Sequence, residues 1–152
     1  MKMLKYWLPA IILMISIFLA SNDPSSGEKS SIITRFLIKI VNNITGYTID
    51  TSQEINITFI IRKTAHITEY GLLTMSYFYG LTKTILKEEK FSSSYIFSLI
   101  LAILYASSDE FHQTFIAGRV GTYKDVLIDS IGMVVSYFIL SKISSNTNSS
   151  KY

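Results

Sequence analysis

Arg62, Lys63, His66, Glu69 and Tyr70 stand in the run R-K-T-A-H-I-T-E-Y, inside a stretch that otherwise has the makings of a membrane span. A charged side chain at the bilayer centre costs at least ~2.5–3.5 kcal/mol on insertion scales, so ionisable groups in such a stretch face a protein interior and point to function. On an α-helix His66 lies roughly 40° to one side of Arg62 and Glu69 roughly 20° to the other, which makes one narrow stripe flanked by Lys63 and Tyr70. A carboxylate that accepts from an imidazole three residues away raises its basicity and selects its tautomer, the arrangement of a general base. The same pair can equally do no more than hold two helices together.

Two further clusters repeat the pattern. Ser108–Gln113 (S-D-E-F-H-Q) brings Asp109, Glu110, His112 and Gln113 to the end of a second apolar run, and Asp125 and Asp129 sit one turn apart near the start of a third, after Gly118-Arg119 and Gly121. Polar groups at one end of three separate apolar segments imply one shared site. Its candidate acid–base residues are His66, Glu69, Asp109 and His112, which as nitrogen and oxygen donors also suit zinc, manganese or iron. No His-Glu-x-x-His or other metal motif is present, so metal and cofactor stay open. The candidate ligand-binding residues are Arg62, Lys63, Tyr70, Glu110, Gln113, Arg119, Asp125 and Asp129, because arginine forks match phosphate in a bidentate geometry. Asp125 and Asp129 are expected as further ligands or as partners of Arg62 and Arg119. Glu69, Asp109, Glu110, Asp125 and Asp129 nearly balance Arg62, Lys63, Arg119 and Lys124, and near-balance is also what burial alone would demand.

The elements that must position these groups are helices in a membrane. The chain has 152 residues of which 49% are hydrophobic, and its mean hydropathy of +0.35 is too apolar for an ordinary soluble domain. The formal charge of +3 is spread along the chain, which argues against nucleic-acid binding. Cysteine is absent, so disulfides and thiolate chemistry are excluded. The Ile-, Asn- and Lys-rich composition resembles that of an AT-rich bacterial genome.

Tyr6–Asn22 is uncharged and at 1.5 Å per residue reaches about 26 Å, enough for a bilayer core. It reads as the first transmembrane helix, since Phe18 stands where a signal peptidase wants a small residue before Ala20. After a Ser/Gly/Pro-rich loop, Ile32, Ile33, Phe36, Leu37, Ile40, Val41 and Ile44 recur at helical spacing opposite Arg35, Lys39 and Asn42, an amphipathic helix suited to the lipid interface. Thr51-Ser-Gln-Glu54 has capping-box spacing and opens a second span to about Lys83. Phe91–Ser108 makes the third, and Thr122-x-x-Asp125 caps a fourth that runs to about Leu140 with Gly132 and Ser136 at small-x-x-x-small spacing. The predicted fold is thus all-α: a polytopic bundle of about four transmembrane helices plus one amphipathic helix. Residues 1–22 form the first span, 23–50 an extracytoplasmic loop with the amphipathic helix, 51–142 the main domain, and 143–152 a polar, disordered tail. The lysines at positions 2 and 5 and in the Lys83–Lys90 loop place both termini in the cytoplasm and the polar site outside.

The motifs R-K-x-A-H-x-x-E-Y at Arg62–Tyr70, Y-A-S-S-D-E-F-H-Q at Tyr105–Gln113, Gly118-Arg119, and D-V-x-x-D-x-x-G at Asp125–Gly132 closely resemble those of the VanZ-like family, in order and in spacing, over about Ile55 to Tyr137. The resemblance implies a small multi-pass protein of the bacterial cell membrane whose namesake lowers susceptibility to teicoplanin and related lipoglycopeptides. It implies as partner a membrane lipid or lipid-linked envelope precursor; the small-residue face of Gly132 and Ser136 separately offers a surface for a homo-oligomer. The family pattern falls on Arg62, Lys63, His66, Glu69, Tyr70, Asp109, Glu110, His112, Gln113, Arg119, Asp125 and Asp129. It supplies no catalytic roles, which leaves a binding protein and a membrane-embedded, metal-dependent hydrolase or transferase both open.

Overall fold

A computed structural model describes residues 3–149 and is all-helical: α1 (Leu4–Ser21), α2 (Ser26–Thr45), α3 (Thr51–Thr84), α4 (Phe91–Gln113) and α5 (Tyr123–Ser149). Three of these, α1, α4 and Tyr123–Asn146 of α5, are long and apolar enough to cross a membrane. The fourth expected span, α3, is not, and the reason is its place: α3 packs against every other helix. A helix shielded by its neighbours needs no apolar surface all round, so α3 can carry Arg62, Lys63, His66 and Glu69 through the middle of the bundle. Outward faces of the other helices are apolar, with Leu8, Ile12, Leu104, Leu127 and Phe138 exposed.

α1 and α3 run antiparallel. Trp7 Nε1 donates to Thr84 Oγ1 at 3.2 Å at one end, while Ala20 lies beside Arg62 and His66 at the other. α4 returns alongside, its Tyr105 hydroxyl donating to the Met14 carbonyl at 2.5 Å. α5 is tied to it by the Tyr95 hydroxyl, which donates to the Met133 carbonyl at 2.5 Å. The core is thin and made of Ala10, Ile17, Tyr70, Leu73, Tyr77, Ala102, Ala106 and Met133. Buried Thr74 and Ser98 satisfy their hydroxyls within their own helices, on the carbonyls of Tyr70 and Ser94, so they add no unpaired polar group to an apolar interior.

α2 packs on the N-terminal part of α3, with Arg35 Nε 3.6 Å from Glu54 Oε1. It ends on Gly46, whose φ of 70° is the left-handed C-cap conformation. Gln53 N donates to Asp50 Oδ1 at 2.9 Å and Asp50 N to Gln53 Oε1 at 3.0 Å. The capping box of α3 therefore belongs to Asp50 and Gln53, one residue earlier than the Thr51–Glu54 spacing suggested, because the Asp carboxylate is the stronger acceptor. The Thr122 cap of α5 is present, with Asp125 N donating to Thr122 Oγ1 at 3.3 Å. α5 continues through Ser149 where a polar coil was expected after about residue 143; no glycine or proline follows Gly132 to stop it. The lysine at position 2 and residues 150–152 lie outside the described residues.

α3 and α5 come into backbone contact at Gly132 and Gly71. A Cβ on Gly132 would stand 1.8 Å from the Ile67 carbonyl oxygen, so only glycine lets the two backbones touch. Gly132→Ala must therefore push α5 off α3, lowering stability by about 1–3 kcal/mol or more as overpacking does. Gly27→Ala, where nothing lies within 4 Å, leaves it unchanged or slightly raised. Thermal unfolding of the two variants in detergent measures the contrast.

Candidate functional site

The polar ends meet where α1 stops, α2 begins, α3 passes its middle, and the 114–122 loop joins α4 to α5. Deepest in this region is an acidic cluster between α3, α4 and α5. The Tyr70 hydroxyl donates to Asp109 Oδ2 at 3.1 Å. Gln113 Nε2 donates to the same oxygen at 3.0 Å and to Glu110 Oε1 at 3.1 Å. Glu110 Oε2 accepts from the Thr122 backbone at 2.9 Å and so anchors the loop to α4. Tyr70, Asp109, Glu110 and Gln113 are all buried. Gly121 is required here, since a Cβ would stand 1.9 Å from the Glu110 carbonyl oxygen.

Lys63 and Asp125 form an ion pair between α3 and α5, their side chains 12% and 20% exposed. This corrects the expected pairing of Asp125 with an arginine: Lys63 lies on the α5 side of α3, and Arg62 turns away from it. Asp129, one turn further along α5, is 2% exposed. Its Oδ2 has no hydrogen-bond partner, and Lys63 is the cation within its electrostatic reach. Neither Arg62 nor Arg119 serves Asp129.

The basic residues face the other way. A pocket of about 180 Å³ is walled by Arg62, His66 and Glu69 of α3, Arg119 of the loop, Ser26 and Ser30 of α2, and Ala20 of α1. Arg119 Nη2 donates to the Ala20 carbonyl at 2.6 Å, placing a cation on one of the orphan carbonyls that end α1. Arg62 makes no hydrogen bond or ion pair among the described residues, and its buried Nε is unpartnered, as are Arg119 Nε and His66 Nδ1. His66 Nδ1 is 3.7 Å from Glu69 Oε2, beyond hydrogen-bond distance but in ion-pair range. Two guanidinium groups against one carboxylate give the pocket a cationic wall, and its open donors match an anion with several oxygens.

His112 is not part of this pocket. Its Nε2 lies 3.2 Å from Asn22 Oδ1 and its ring 5.1 Å from Phe18, so it packs on the end of α1. On α4, Asp109 and Gln113 share the face toward Tyr70, Glu110 points toward the 114–122 loop, and His112 takes the side toward α1. The expected metal set of His66, Glu69, Asp109 and His112 is therefore split, and among the described residues no three His, Asp or Glu side chains come together as a ligand group. Lys124 is exposed beside the cluster.

Sequence reasoning missed Ser26, Ser30 and Asn22. The serine-rich start of α2, with small hydroxyl residues at helical spacing, was the available signal. It also missed the turn that sets α2 against α1. Asp23 Oδ1 accepts from Ser25 N at 2.9 Å and Ser25 Oγ at 2.7 Å, and Asp23 Oδ2 from Lys29 at 2.5 Å. The Lys29 ammonium and the Ser25 donors lower the Asp23 carboxyl to about 2, so this exposed turn stays tied until the pH falls to that range.

Three helices long and apolar enough to cross a membrane, gathered around one polar helix with a cationic pocket at one end, are those of a helical-bundle membrane protein. The chain belongs to the VanZ/LLP1 family, whose model matches residues 6–144, so the likeness takes in α1 and α2 as well as the motif-bearing helices. Comparison with curated proteins and with solved structures gives no significant match.

The Lys63–Asp125 pair is the connection most open to test. Lys63→Met or Asp125→Asn alone leaves one largely buried charge unpaired and is expected to cost about 3–5 kcal/mol. The double variant should cost much less than the sum of the two. A double-mutant cycle on detergent unfolding reads the coupling, and additive losses would mean that the two charges are solvated separately.

Proposed function

We propose that this VanZ/LLP1-family protein is a multi-pass protein of the bacterial cell membrane that binds a phosphate-bearing, membrane-anchored envelope ligand in the Arg62–His66–Arg119 pocket. In this reading it thereby lowers susceptibility to teicoplanin-type lipoglycopeptides. The observation that carries the binding role is Arg62: a guanidinium on a pocket wall with no protein partner among the described residues, beside unpartnered nitrogens of His66 and Arg119. A structural charge would have been given to one of the carboxylates nearby; Asp125 takes Lys63 instead, and Asp129 is left with an unpaired oxygen.

A second reading rests on His66 beside Glu69. An imidazole next to a carboxylate on the wall of a phosphate pocket has the residue types of a general base acting on a lipid-linked envelope substrate, a hydrolase or transferase. Arg62→Lys keeps the charge and loses the bidentate fork, whereas His66→Gln keeps a hydrogen-bonding group and loses the basicity. For a binding protein, ligand affinity and teicoplanin tolerance fall with Arg62→Lys, by about tenfold in affinity or more as for a lost charge-assisted contact, and survive His66→Gln. Loss of tolerance in His66→Gln with affinity intact would replace binding with catalysis. The readouts are drug susceptibility of cells carrying each variant and retention of a phosphate-bearing lipid by the purified proteins.

The ends of α1 and α5 away from the pocket carry Lys5 and Lys142 and share a side with the 85–90 connection, while the pocket side carries Lys29, Arg35, Lys39 and Lys124, so charge bias does not choose the orientation, and termini inside with the pocket outside is the reading that labelling tests. In the cysteine-free chain, Ser25→Cys should react with a membrane-impermeant thiol reagent on intact cells and Asn146→Cys should not. The reverse pattern would turn the protein over.

A further inference from the structure

We propose that the ligand's acyl chain lies in a groove on the outside of the bundle, between α3 and α5, so that the protein holds a phosphate lipid by both head and tail. This deepens the reading of the polar pocket as a phosphate site and rests on it. The groove has a volume of about 200 Å³ and is lined by Ile67, Gly71, Leu72 and Met75 of α3 and by Val135 and Ile139 of α5, together with Thr68, Gly132 and Ser136. No other helix lines it, so it opens outward from the bundle. Its floor exists because Gly132 and Gly71 let α3 and α5 touch, leaving a furrow walled by longer side chains.

Two observations point to an acyl chain as the occupant. First, the groove adjoins the cationic pocket: Ala65 on the pocket wall and Thr68 on the groove wall are both exposed and one helical turn apart on α3. Second, the order is that of a lipid. The charged pocket takes α3 at residues 61–69, and the groove follows at 67–75 and 132–139, toward the middle of the apolar span of α5. From Ile67 to Met75 it extends about 12 Å along the helix, room for a substantial part of a fatty chain. Since lipid tails are as apolar as the groove, its contribution is shape and contact rather than the hydrophobic effect, which makes it a selector of chain geometry.

The test uses the whole protein in phosphatidylcholine nanodiscs containing a phosphatidic acid with a photoactivatable diazirine midway along one acyl chain. Irradiation should label Leu72, Met75 and Val135 about tenfold more than Leu104 and Phe138, two other exposed apolar residues, the ratio given by a preference of about 1.4 kcal/mol. Val135→Trp, which fills the groove, should reduce the labelling to the Leu104 level without changing the binding of water-soluble glycerol 3-phosphate. Labelling spread evenly over the apolar surface overturns the proposal. So does cross-linking of one copy to another through Val135, which would assign the groove to a second copy of the chain. Arg62→Gln should weaken both probes. Glycerol 3-phosphate binding that is indifferent to Arg62→Gln would overturn the phosphate pocket itself, whereas binding that depends on Arg62 alongside unlabelled groove residues would overturn only the placement of the tail.

Discussion

Charge that cannot face lipid is the constraint on which the rest of this structure depends. α3 carries a cation pair, an imidazole and a carboxylate near its middle, and a helix of that composition among apolar ones is stable only if they cover it. The bundle is arranged accordingly, with α1, α2, α4 and α5 each packed on α3. The backbone contact at Gly132 brings α5 close enough for Lys63 to reach Asp125. Tyr70, the largest fully buried side chain among the described residues, reaches across to Asp109. The hydrogen bonds that link helices here involve tyrosine, tryptophan, threonine, lysine, aspartate and backbone carbonyls, as expected where lipid removes the hydrophobic drive for helices to associate.

The second consequence is the segregation of charge. Carboxylates collect between α3, α4 and α5, where Lys63, Tyr70, Gln113 and the Thr122 amide serve them. Arg62 and Arg119 are left on the far side of α3, under the turn from α1 to α2. Near-neutrality of the whole set therefore conceals an internal separation, an acidic core that holds helices together and a cationic pocket with donors to spare. The separation also gives the short α1–α2 turn its importance. By setting α2 against the end of α1, Asp23, Ser25 and Lys29 bring Ser26 and Ser30 to the pocket wall.

Residue types and spacing alone determined a good deal. The all-helical fold, the limits of α1 and α4 to within a few residues, the amphipathic α2, and the meeting of three polar clusters at one end all follow from hydropathy and helical periodicity, which are local properties. The family was legible too, because its motifs are short and keep their order. Only the tertiary structure decided which charge meets which. The arginines were as good a match for Asp125 as Lys63 was, until the packing of α5 on the Ile67–Gly71 side of α3 put Lys63 within reach and turned Arg62 outward. His66 and His112 were indistinguishable as ligands until the rotation of α4 sent one histidine to α1 and left the other in the pocket. Rotation of a helix about its own axis is set by contacts made across the bundle, at Gly132 and Gly121 above all. A periodic pattern states which residues share a face of a helix, and it carries no information about the neighbour that the face will meet.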